Sequence, residues 1–120
     1  MTQTTDVKAP PLTGLAARHC TACQPGQPAM TDAQVGLVLA DLPGWERQGS
    51  AIAKTFRFKN YHETMAFVNA TAWVSHREDH HPDLEVGYNK CRVRYSTHSV
   101  GGLSENDFIC AAKLESLFNV

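Results

Sequence analysis

Three of the six histidines in this 120-residue chain fall within nineteen positions, at His80, His81 and His98. Pro82 follows the first two, Gly101-Gly102 follows the third, and Asp107 comes shortly after. Imidazole is the side chain whose unperturbed pKa lies nearest neutrality, so three converging on one pocket suit proton transfer at pH 7. A carboxylate such as Asp107 can orient an imidazole and fix its tautomer. Each residue also has a plainer role. An adjacent histidine pair tolerates exposure at a helix end and favours its C-terminal dipole, and Asp107 at the third position of a helix offsets the N-terminal dipole. His98 tips the balance toward chemistry only if the fold brings it beside the pair.

Metal chemistry fits less well. His76 and His80 share a helix face, as zincin ligands do, but that motif needs Glu directly after the first histidine, where Arg77 stands. Cys20 and Cys23 form one C-x-x-C, and a structural zinc site needs four ligands. A small metalloprotein using His76, His80 and a cysteine is the weaker reading.

The elements that must position these groups follow from spacing. Residues 1–30 hold Pro10-Pro11, Gly14, Pro25-Gly26 and Pro28 with little periodicity, and read as a mobile or loosely docked arm before a domain spanning 31–120. Thr31 and Gln34 have capping-box spacing ahead of Val35, Val38, Leu39 and Leu42, and Pro43-Gly44 stops that helix. Trp45 to Phe58 alternates around Gln48-Gly49-Ser50, which predicts a hairpin. Asn60 and Glu63 open a long helix carrying Tyr61, Met65, Val68, Ala72, His76 and His80 along one stripe, closed by Pro82, since a residue before proline avoids helical dihedrals. A second hairpin joins Leu84–Tyr88 to Cys91–Thr97, and Ser104 and Asp107 cap a last helix. The order α-β-β-α-β-β-α predicts an α+β two-layer sandwich, a four-stranded antiparallel sheet with three helices on one face.

Bulk composition excludes several classes. Lys plus Arg is 11 and Asp plus Glu is 12, for a net charge of −1, so no basic stripe points to nucleic acid or an anionic membrane. No apolar run approaches the roughly 20 residues of a bilayer span. No charged start with an apolar stretch marks a secretory signal, so the four cysteines read as free thiols of a cytoplasmic protein. The unpaired edges of a short sheet predict a homo-oligomer.

His80-His81-Pro82, then Tyr88-Asn89-Lys90, Thr97-His98, Gly101-Gly102-Leu103 and Asp107, with Pro43-Gly44-Trp45 and Phe56-Arg57-Phe58-Lys59 upstream, resemble the pterin-4a-carbinolamine dehydratases from about Thr31 to Val120. The resemblance implies loss of water from a 4a-hydroxytetrahydropterin, giving the quinonoid dihydropterin, in recycling the pterin used by an aromatic amino acid hydroxylase. It implies His80 and His98 as acids toward the leaving hydroxyl, His81 as the group that holds the ring and takes the N5 proton, and Asp107 as the residue orienting His98 or its loop. His76, Pro82 and Thr97 join His81 as substrate contacts. The elimination needs no metal and no redox cofactor. The resemblance also implies dimers joined through their sheets, or tetramers joined through the long helix. It supplies a second function class, since animal members serve as dimerisation cofactors of a homeodomain transcription factor: a protein-binding, regulatory module. One departure stands out, because the carboxylate the family carries four residues before the first histidine is His76 here.

Overall fold

Capping side chains set three helix starts. Thr31 accepts the Gln34 N–H at 3.2 Å and Gln34 returns the bond at 2.8 Å, opening α2 (Asp32–Leu39). Asn60 accepts the Glu63 N–H at 2.8 Å and opens α3 (Tyr61–Glu78). The Ser104 N–H donates to Asp107 Oδ2 at 2.9 Å ahead of α4 (Glu105–Ser116). The computed structural model describes residues 11–118. Between the helices run β1 (Glu46–Gln48), β2 (Ala51–Arg57), β3 (Asp83–Val86) and β4 (Lys90–Tyr95). They form one antiparallel sheet in the order β1-β2-β4-β3.

Alternation along β4 decides which face is covered. Cys91, Val93 and Tyr95 are buried, whereas Arg92 and Arg94 between them, and Ser96 just past the strand, are half-buried on the opposite face. The helices cover the first face, where α4 contributes Phe108, Cys110, Ala111, Ala112 and Leu114 to the core shared with Phe56, Phe67 and Trp45. Glu115 ties α4 to the sheet end, accepting from Trp45 Nε1 at 2.9 Å and Lys54 Nζ at 2.6 Å. The expected α+β sandwich is present.

Two features depart from the sequence reading. A fourth helix, α1 (Pro11–Ala17), lies in the segment read as an arm, and it packs against α4. Seven residues are too few to show helical periodicity or to be stable alone; docking stabilises them, with Lys113 Nζ donating to the Ala16 carbonyl at 2.7 Å. Residues 1–10 of that segment lie outside the described residues, as do 119 and 120. The second departure is the end of α3. The stripe predicts helix as far as His80, with Pro82 as the stop, but regular helix ends at Glu78 because Asp79 takes the left-handed conformation (φ 52°, ψ 42°). Aspartate tolerates that region better than most side chains. The His80 N–H still reaches the Ser75 carbonyl at 3.2 Å, so the chain turns sharply while remaining bonded to the helix. No helix among the described residues is long and apolar enough to cross a membrane.

Candidate active site

The left-handed turn at Asp79 takes His80 out of the α3 stripe. Its Nε2 then lies 2.7 Å from Asp107 Oδ1, and its ring stacks on buried Tyr95, with centroids 5.8 Å apart and planes 9° from parallel. Asp107 is fully buried. Its second oxygen, Oδ2, accepts the Thr97 hydroxyl at 2.7 Å and the Ser104 N–H at 2.9 Å. A buried carboxylate with three donors is held in one orientation. The carboxylate accepts, so His80 presents an Nε2–H to it, and Nδ1 is the nitrogen left for proton exchange.

Thr97 connects this pair to the third histidine. It forms an isolated antiparallel bridge with Gly102, donating its N–H to the Gly102 carbonyl at 2.8 Å, and its side chain also bonds Ser104 at 2.8 Å. The 3-10 turn His98–Val100 is closed by Gly101 at φ 68°, a conformation glycine adopts without steric cost. His98 is therefore carried on a short turn pinned at both ends. Regular strand ends at Tyr95, so the turn sets the direction of His98, which still lines one cavity with Arg94 and Ser96.

A cavity of about 500 Å³ gathers these groups. Its lining includes His80, His81, Thr97 and His98, together with Arg94 and Ser96 from the open face of β4 and Asp79, Asp83 and Ser99 at its rim. His81 and His98 are exposed, whereas the His80 side chain is 13% exposed. Asp107 stands behind His80 rather than His98, and reaches His98 only through Thr97, its neighbour in the chain. His76 is exposed on α3 and Pro82 is half-buried; neither lines the cavity. Arg94 was legible from parity, since it lies on the polar face of β4 ahead of Ser96, and it pairs with Asp83 at 3.6 Å.

The segment before α2 forms a second wall. Cys20, Thr21, Ala22 and Cys23 border a neighbouring cavity of about 410 Å³ that shares Asp79, His80, Thr97 and Ser99 with the first. This segment is fastened by buried Glu78, which accepts the Cys20 N–H at 2.7 Å and bonds His19 Nδ1 at 3.0 Å. Burial raises the Glu78 pKa, but the Cys20 N–H, the His19 bond and the nearby Lys113 charge outweigh it and hold the carboxyl below its ordinary value. Asn106 exchanges two hydrogen bonds with Thr21, at 3.1 and 2.8 Å. Farther along, the Met30 N–H donates to Leu103 at 2.8 Å, and Gly102 runs so close that a Cβ there would meet the Ala29 Cβ at 3.0 Å. Among the described residues, no group of three or more His, Cys, Asp or Glu side chains is gathered closely enough to hold a metal ion.

Comparison with known proteins places these observations. The family model described as "Pterin 4 alpha carbinolamine dehydratase" matches residues 28–117. A relative from Nitrosospira multiformis, named "Putative pterin-4-alpha-carbinolamine dehydratase", is 56% identical over 106 residues, covering 88% of this chain and 94% of the relative. A Nitrosomonas eutropha relative of the same name is 58% identical over 104 residues, covering 86% and 92%. The 106 matched residues exceed the 93 from 28 to 120 by 13, so part of the segment before the family match is shared with the relative. Among solved structures, a transcriptional coactivator/pterin dehydratase from Brucella melitensis superposes with a TM-score of 0.72 at 30% identity, covering 74% of this chain and 97% of the other. A pterin dehydratase-like RuBisCO assembly factor of the alpha-carboxysome shares the fold, with a TM-score of 0.51 at 24% identity, covering 61% and 84%.

Proposed function

The chain belongs to the pterin 4 alpha carbinolamine dehydratase family, and from that premise we propose that it catalyses the dehydration of a 4a-hydroxytetrahydropterin by histidine acid–base chemistry. The observation that carries this reading is His80, held by buried Asp107 and Tyr95 at the edge of a cavity that His81 and His98 also line. In the reaction the C4a–O bond breaks, the departing hydroxide takes a proton from an imidazolium, and the N5–H proton passes to a second base. Water and the quinonoid dihydropterin result. His80 and His98 are the acids, and His81 contacts the ring and accepts the N5 proton. Asp107 positions His80 and, through Thr97, the turn bearing His98. Positioned acid–base groups contribute about 10²–10⁴-fold, a scale suited to a carbinolamine already prone to lose water.

The physiological setting we infer is cytoplasmic pterin recycling beside an aromatic amino acid hydroxylase. A homo-oligomer is supported by the β3 edge strand, near which Val86 and Tyr88 are exposed, and by exposed Trp73 on α3.

Stopped-flow absorbance of 4a-hydroxytetrahydropterin decay tests the activity. Acceleration by the wild-type chain and its loss in His81→Ala supports the dehydratase. A folded wild-type protein giving no acceleration overturns it and leaves the regulatory, protein-binding reading, toward which the description of the Brucella structure as a coactivator points.

A further inference from the structure

A pair of thiols outside the proposed dehydration chemistry lies beside the His80 cavity. Cys20, between α1 and α2, and Cys110, on α4, are 90 residues apart in sequence, yet their sulfurs are 3.5 Å apart. The approach is set by the backbone on both sides. The Cys20 N–H is fixed on Glu78, the next residue is fixed on Asn106, and Cys110 sits within a helix. Cys110 is fully buried, whereas Cys20 is half-buried and borders the cavity of about 410 Å³, through which a small oxidant can reach it. A disulfide has an S–S length of about 2.05 Å. The sulfurs must therefore close by about 1.5 Å, and Cys20, lying outside any helix, can move without breaking one.

We propose that Cys20 and Cys110 are a peroxide-oxidisable pair whose disulfide locks the Cys20–Cys23 wall of the site onto α4. In the first step Cys20 sulfur attacks the O–O bond of the peroxide. An S–O bond forms, the O–O bond breaks, and water leaves, with Cys20 now a sulfenic acid. In the second step Cys110 sulfur attacks Cys20 sulfur. The S–S bond forms, the S–O bond breaks, and the departing hydroxide takes the Cys110 proton as a second water. Two thiols are oxidised by one electron each, and hydrogen peroxide takes both electrons. The hydrogen bond to Cys20 and burial push the Cys110 thiol up, so its proton must pass to the departing oxygen as the S–S bond forms. In a reducing compartment the pair rests as thiols, and the lock forms only under oxidant. Its α4 end lies one turn beyond Asp107, so the bond ties the segment to the helix that orients His80.

The test treats the reduced full-length chain with one equivalent of hydrogen peroxide and digests it with trypsin without reductant. Peptides 19–47 and 95–113 are expected to appear cross-linked, with two of the four thiols lost and slower amide exchange at residues 20–23, all reversed by dithiothreitol. Cys23→Ser is expected to keep the cross-link, which assigns it to Cys20, and Cys20→Ser to abolish it while melting cooperatively. A Cys20–Cys23 bridge, sulfinic acid on Cys20 without a cross-link, or an unchanged thiol count would each overturn the proposal.

Discussion

His80 and Asp107 are separated by 27 residues in sequence and by a 2.7 Å hydrogen bond in the fold. The carboxylate is fully buried, and its two oxygens are loaded unequally: Oδ1 has His80, while Oδ2 has both Thr97 and Ser104. That inequality decides what an isosteric change would do.

In Asp107→Asn the amide oxygen takes the Oδ2 position, where two donors need an acceptor, and the NH₂ turns toward His80. Nε2 must then accept, which reverses the tautomer and disfavours the imidazolium. Turnover is expected to fall by about 10–100-fold with KM little changed, measured by steady-state dehydration kinetics. Unchanged turnover would remove Asp107 from the mechanism.

The three histidines are expected to separate kinetically. His81→Ala is expected to raise KM for the pterin and also to lower kcat, because it removes both a ring contact and the base for N5. His80→Ala and His98→Ala are expected to lower kcat with KM little changed, each by about 10²-fold or more. Equal and negligible effects in all three would remove them from the chemistry.

Tyr95 carries a buried hydroxyl that no nitrogen or oxygen satisfies among the described residues; burial pushes its ionisation up, and the Cys110 thiol beside it adds to the shift. Tyr95→Phe keeps the ring against His80 and removes the unsatisfied group. Stability is expected to rise by about 1 kcal/mol, read as a Tm a few degrees higher. Tyr95→Leu loses the stacked ring, and is expected to lower both Tm and kcat.

Glu78 makes the docking of the Cys20 segment pH-dependent. Its folded pKa lies below the ordinary glutamate value near 4.5. Its contribution is therefore complete above that value and is lost as pH falls through the lowered folded pKa. Protection of the Cys20 amide, its exchange rate relative to the unfolded chain at the same pH, is expected to be lost in the wild type as pH falls below the ordinary glutamate range. In Glu78→Gln the amide is expected to exchange faster at neutral pH and to lose most of this acid dependence.

The local rules carried most of the fold. Thr31, Asn60 and Ser104 announce helix starts because a cap acts within four residues, and Cys91, Val93 and Tyr95 name the covered face by parity. The site was legible as residue types but not as partnerships. Asp107 satisfies a local capping role, and nothing local reveals that its other oxygen meets His80. Glu78 reads as one charge on a helix face, since the N–H it accepts comes from 58 residues earlier. The end of α3 was misplaced because Pro82 is a visible stop, whereas a left-handed Asp79 is not.

Sequence separation also orders assembly in time. Closing the 90-residue loop of Cys20 and Cys110 costs about 1 kcal/mol more chain entropy than closing the 27-residue loop of His80 and Asp107. The surface that receives Cys20 is built from Glu78 and α4, so it exists only once those elements have met. The folding nucleus is thus expected to contain the histidine–carboxylate pair, with the N-terminal segment condensing onto it afterwards. Pulse-labelled exchange would then find amides of α4 protected before that of Cys20, and a mutation at Glu78 would speed unfolding while leaving the folding rate nearly untouched.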